Sequence, residues 1–181
     1  LDGTPLPAWN LHAMKQDLGY VAQDVFLFSD TIGNNIAFGQ GDANHDKVQQ
    51  AAQDAGVRQD IEGFDLGFDT MLGERGVNLS GGQKQRISIA RALVKTPRVL
   101  FLDDCLSAVD TETEDAILSA IARQKASCTL MVSHRLASLR NADRILVMDE
   151  GEIVESGTPD ELLAAGGLYA KMFEQQKAEQ D

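Results

Sequence analysis

Three stretches of this chain predict an α/β fold: a parallel sheet flanked by helices, with a helical subdomain inserted into it. The first is the apolar run Val99-Leu100-Phe101-Leu102, which reads as a buried strand and ends in two acids, Asp103-Asp104. Beyond it, strands and helices alternate with connections of βα length, the pattern of parallel pairing with helices on the sheet faces. The third is a polar, glycine-broken helical stretch over residues 31–92 that closes at Leu79-Ser80-Gly81-Gly82-Gln83. The chain thus divides into a sheet-bearing part, residues 1–30 and 93–181, and a helical subdomain, residues 31–92.

Taken in order, Leu1-Asp2-Gly3 reads as the end of a strand already under way, followed by a Pro-bearing loop and a short helix over residues 11–17. Residues 18–22 form a strand that hands over to Gln23, and an apolar patch at 25–28 precedes the helix start Ser29-Asp30-Thr31. Helical segments follow over 31–38, 46–55 and 58–63. The run Ile87, Ala90, Arg91, Val94 gives the next helix its period, and Thr96-Pro97 stops it after Lys95. Then come strand 99–102, helix 113–123, strand 128–132, helix 136–140 and strand 144–148. Asp149-Glu150-Gly151 turns into a hairpin strand at 152–155. Thr158-Pro159-Asp160-Glu161 opens a C-terminal helix, and residues 174–181 read as a fraying tail.

At 181 residues and 43% hydrophobic composition the chain is sized for one ordinary domain. A formal charge of −12 argues against a nucleic-acid surface, which rests on clustered Lys and Arg. A polyphosphate bound here would be held by backbone amides, a metal and a few local cations. Cys105 and Cys128 lack metal-ligand spacing and read as buried thiols of a reducing compartment. No apolar run approaches the roughly eighteen residues of a membrane span, and the start lacks a secretory pattern, so the chain reads as soluble and intracellular.

The chemistry gathers at two places. Ser80 precedes two glycines at a helix start, where unpaired N–H groups and the positive dipole end favour an anion; the same serine serves equally as a plain helix cap. Asp103 and Asp104 end a strand at the carboxyl edge of the sheet, the edge where open α/β sheets bind ligands. Either they act on a ligand or they are solvated acids. His134, in Ser133-His134-Arg135, follows the next strand onto that edge, placed to hydrogen-bond a phosphate oxygen and orient water. Gln23 offers a carbonyl to Mg²⁺ and an amide to water.

These residues resemble the motifs of ATP-binding cassette (ABC) ATPases, and the likeness covers essentially the whole chain. Leu79 to Gln83 looks like the signature, Val99 to Asp103 the Walker B strand, Ser107 to Asp110 the D-loop, His134 the switch histidine and Tyr20-Val21-Ala22-Gln23-Asp24 the Q-loop. The resemblance implies a P-loop NTPase-like fold and an ATPase using ATP and Mg²⁺. Asp103 and Gln23 would hold the metal, and Asp104, His134 and Gln23 would act on the attacking water. Ser80, Gly81, Gly82, Gln83 and Asp110 would touch nucleotide in a head-to-tail sandwich with a second nucleotide-binding domain, identical or different. Gln23 and the segment Gly73-Glu74-Arg75-Gly76 would meet a transmembrane domain of the exporter type, at the cytoplasmic face of a membrane. Without that resemblance, the latter segment is only a glycine-bounded turn.

Three features depart from the family. The phosphate loop G-x-x-x-x-G-K-[ST] is absent, so the chain resembles a truncated cassette, expected to be inactive alone and to expose apolar surface where the missing helix would pack. Asp104 stands where the family has a catalytic glutamate, as in the degenerate site of heterodimeric exporters. That opens an alternative role as a regulatory half with a low-turnover site. Cys105-Leu106 replaces the commoner small pair, and nothing in the sequence explains it.

Overall fold

The computed structural model describes residues 3–40, 44–73, 79–124 and 126–178. Its contacts divide the chain into two units, residues 1–132 and 133–181. Among the described residues no helix is long and apolar enough to cross a membrane. Leu1 and Asp2, assigned above to a strand end, lie outside the described residues, as do Glu74 and Arg75.

The first unit is built on three parallel strands, β1 (Leu18–Val21), β2 (Val99–Asp103) and β3 (Cys128–Val132), in the order β1-β2-β3. The register aligns Val21 with Leu102 and Leu102 with Met131, so the carboxyl ends of all three strands finish together. Between β1 and β2 come α2 (Ile32–Ala37), α3 (His45–Asp54), α4 (Arg58–Glu62) and α5 (Gly81–Leu93); α1 (Leu11–Asp17) precedes β1 and α6 (Thr111–Arg123) follows β2.

Local chemistry sets these boundaries. Asn10 caps α1, its Oδ1 accepting the His12 and Ala13 N–H groups. Thr31, Asn44, Ser80 and Asp110 cap α2, α3, α5 and α6 in the same way. Strand alternation puts Gly19, Val21, Leu100 and Leu102 on one buried face. They join a core with Ile87, Ile89 and Leu93 of α5 and Ile32 and Ile36 of α2. Each such Ile or Leu removed from water contributes about 1.5–3 kcal/mol. The opposite sheet face is apolar and uncovered: Tyr20, Phe101 and Leu130 lie side by side in the register and are 58%, 36% and 46% exposed. This agrees with the apolar exposure expected from the sequence.

The second unit contains β4 (Ile145–Asp149), β5 (Glu152–Gly157), α7 (Pro159–Ala165) and α8 (Leu168–Ala178). Leu136, Ile145, Val147, Leu162 and Tyr169 form its core. Among the described residues β4 pairs antiparallel with β5 and with no strand of the parallel sheet, contrary to the simple alternation read from sequence. The two-residue turn Glu150-Gly151, with φ of 46° and 85°, has the doubly positive geometry that suits strand twist. It brings β5 beside β4, whereas an apolar pattern marks a strand without naming its neighbour.

The helix predicted at 136–140 is a 3₁₀ turn, Leu136–Leu139, held by i→i−3 bonds such as Ser138 N–H to Arg135 O at 3.1 Å. The tail read as fraying from 174 continues α8 to Ala178. Glu155 accepts the N–H groups of Leu168 and Tyr169 at its start, and Gln176 is bound further along to His134 and Leu136. Both cysteines are free, Cys105 buried as expected and Cys128 exposed.

Candidate functional site

The start of α5 is a capping box. Ser80 Oγ accepts the Gln83 N–H at 3.2 Å, and Gln83 Oε1 accepts the Ser80 N–H at 3.0 Å. The amide end of Gln83 donates to Asp60 Oδ1 at 3.0 Å, and Arg86 reaches the other oxygen of Asp60 at 2.9 Å, so α4 holds the first turns of α5. Ser80 and Gly81 are exposed, and none of the described residues comes within 4 Å of where a Cβ on Gly81 would sit. The capping role of Ser80 is therefore observed, and the tip beyond it is open.

Gln23 stands at a bend two residues past the end of β1, exposed. Asp103 is the last residue of β2 and is half-buried. Because β1 and β2 are parallel and in register, Gln23, Asp103 and Asp104 share one sheet edge. The Asp104 N–H donates to Val132 O at 2.9 Å, and its φ is +41°, a left-handed conformation that aspartate tolerates better than most residues. That reversal ends the strand between the two carboxylates. The thiol that follows is buried: burial first, then the charges of Asp104 and Asp103, push Cys105 up to about 12, which disfavours the thiolate.

The 104–110 loop runs back beside α5. Asp110, exposed, caps α6 through the Thr113 N–H at 2.9 Å. That backbone hydrogen bond, then the Thr113 hydroxyl, hold its carboxyl below the usual value, with a smaller contribution from Arg86. A lowered carboxylate stabilises the fold above its unfolded pKa and loses that contribution as pH falls through the folded value. Acid below about pH 4 is thus expected to loosen the start of α6. Asp110→Asn should keep the cap and flatten the pH dependence of amide exchange at Thr113.

His134 falls in the second unit, directly after β3, and its carbonyl accepts from Gln176 Nε2 at 2.6 Å. Among the described residues no three His, Cys, Asp or Glu cluster as a metal site. The donors at the sheet edge are thus two carboxylates and a glutamine carbonyl, a hard and incomplete set. Mg²⁺ suits it, since that ion keeps several waters and takes one or two carboxylates plus phosphate oxygens.

Sequence reasoning missed four residues around this site. Arg91, read as part of an apolar helical run, donates to Asn35 O, Asn35 Oδ1 and Phe26 O at 2.8–2.9 Å and lies over the Phe28 and Phe38 rings. Burial pulls its guanidinium down to about 10. Asn35 of α2, Asp60 of α4 and Gln85 of α5 belong to none of the motifs. For Asn35 and Gln85 a polar side chain at the buried phase of a helix was the available sign, because such a group requires a partner; Asp60 is only half-buried and carried none.

With this geometry in place, comparison with known proteins defines the class. A family model described as "ABC transporter" matches residues 1–107, and the chain belongs to that family. It falls among the nucleotide-binding domains of exporter-type members. It is 44% identical over 98% of its length to ATP-binding cassette sub-family B member 6 of Xenopus tropicalis, covering 21% of that protein. It is 46% identical over its full length to an ATP-dependent lipid A-core flippase of Hahella chejuensis, covering 31% of it. A solved bacterial Atm1-family ABC exporter with ATP bound superposes with a TM-score of 0.92, at 43% identity, over 97% of this chain and 31% of that one. The chain therefore spans under a third of the length of these relatives.

Proposed function

We propose that this chain is the ATP-binding and ATP-hydrolysing domain of an ABC exporter, powering transport as one half of a nucleotide-sandwich dimer at the cytoplasmic face of a membrane. The observation that carries this reading is the shared edge at which β1 and β2 end, with Gln23, Asp103 and Asp104 on it and the open tip of α5 elsewhere in the same unit. Gly81 and Gly82 offer their amides and Ser80 its hydroxyl to a triphosphate held mainly by a second nucleotide-binding domain, and Gln83, whose N–H groups are taken up by Ser80 and Asp60, belongs to the same contact through the turn it holds. Asp103 and Gln23 hold Mg²⁺, whose chemistry is to neutralise phosphate charge. Asp104 accepts a proton from water that Gln23 and His134 orient, and Asp110 lies on the loop reaching the partner. The Gln23 region and Glu74-Arg75 are the segments proposed to contact a transmembrane domain, on the family resemblance of their sequences. The chain alone, without a Walker A sequence, does not turn over ATP in this reading.

The division into residues 1–30 with 93–181 around 31–92 belongs to the same proposal. Its support is that β1 and β2 are neighbours in one sheet, so everything between them is an insertion between adjacent strands.

A second reading, a regulatory half with a low-turnover site, is favoured by Asp104 itself. Its side chain is one methylene shorter than glutamate, and its left-handed φ suits aspartate. Single-turnover hydrolysis by the complete dimer, native against Asp104→Glu, separates the two. A gain of about tenfold or more supports the regulatory half, because small misplacements of a base cost rate on that scale. Equal rates support an ordinary ATPase, and failure of the full-length protein to bind ATP overturns both.

A further inference from the structure

We propose that Gln85 is a positioning residue that fixes the 104–110 loop, and with it the backbone of Asp104, to the opening turns of α5. Gln85 is 9% exposed, on the buried side of α5, and its amide is used at both ends. Its Oε1 accepts the Ala108 N–H at 3.1 Å, and its Nε2 donates to Ser107 Oγ at 3.4 Å. The Ser107 hydroxyl in turn donates to the Asp104 carbonyl at 3.1 Å. A relay of amide, hydroxyl and carbonyl thus runs from the helix to the residue whose φ is +41°.

A second observation meets the same loop independently. A Cβ added at Gly82 would stand 2.7 Å from Ala108 O, so the helix start and the loop touch backbone to backbone. That approach is open only to glycine. Gln85 and Gly82 together make one rigid bracket of two segments that proposals above assign to different nucleotides: Ser80 and Gly81 to the partner's, Asp104 to the chain's own. The role in catalysis rests on that reading; the bracket does not. Its consequence is that a displacement of the α5 tip is transmitted to Asp104 by direct hydrogen bonds, without passing through the sheet.

The test uses the full-length protein. Gln85→Leu keeps the volume and removes both amide contacts. Amide exchange at Ala108 is expected to rise about tenfold or more while residues 87–93 of α5 stay protected. The kcat for ATP is expected to fall about tenfold to hundredfold, with KM changed less than about twofold. Gln85→Glu, which keeps the acceptor for the Ala108 N–H, is expected to restore most of the protection and part of kcat. Ser107→Ala, at an exposed position, cuts only the relay and is expected to lower kcat a few-fold without exposing Ala108. Unchanged exchange at Ala108 in Gln85→Leu overturns the bracket, and faster exchange with native kcat overturns the positioning of Asp104. If the native protein neither binds nor hydrolyses ATP, the nucleotide reading and the positioning role fall together, and exchange at Ala108 still decides the bracket.

Discussion

Asp103→Asn is expected to lower ATP hydrolysis by the full-length protein about a thousandfold, because a polarising metal held by a carboxylate is worth several kcal/mol at the transition state. The substitution is nearly isosteric, and the backbone of Asp103 stays registered against Val132 in β3, so the sheet has no reason to change. The amide removes the charge that favours a divalent cation. Phosphate release measured across a Mg²⁺ titration checks this, with the loss expected at every concentration or only partly recovered at the highest. Native turnover in the variant would remove Asp103 from the metal-holding role.

The second large effect concerns stability. Asn35 is 1% exposed and joins three segments. Its Oδ1 accepts from Phe28 N–H at 2.8 Å and from Arg91 Nη2 at 2.9 Å, while its Nδ2 donates to Phe28 O at 3.0 Å and Thr31 O at 2.9 Å. Asn35→Ala leaves the part-buried Phe28 N–H unpaired and strips one partner from a half-buried guanidinium, while Phe28 O and Thr31 O keep the backbone N–H groups of Asp30 and residue 35. The expected cost is about 3 kcal/mol. In the full-length protein this should appear as exchange at the Phe28 amide about a hundredfold faster, with β2 unaffected. The segment released lies just beyond Gln23, so a fall in ATP turnover is expected with it. Unchanged exchange at Phe28 would show that Arg91 and the backbone hold this turn without the asparagine.

These two residues mark what was and was not legible in the sequence. Asp103 closes an uninterrupted apolar run, and the run and its acidic end are both local, so the strand, its boundary and the candidate role could be read directly. The same holds for α1 after Asn10 and α5 after Ser80, where the capping residue stands immediately before the helix it starts. Asn35 and Arg91 are 56 positions apart, and Gln85 and Ala108 are 23 apart. Their pairings come from how the helices fold back on β1 and β2, and no periodicity reports them. The partner of β4 was hidden for a related reason, since strand character belongs to a segment and pairing to the whole topology. The end of α8 was misread because the contacts of Gln176 lie some forty residues upstream.

The Ser80 hydroxyl has one further property. A serine oxygen carries two lone pairs and one hydrogen, and the Gln83 N–H occupies only a lone pair. The hydrogen is left to swing outward. An incoming anionic oxygen is therefore greeted by a donor already anchored through its own oxygen, and docking dismantles none of the turn that presents it. Pre-assembly of this kind costs no reorganisation at the moment of contact, which is what the sandwich role proposed for this tip would require.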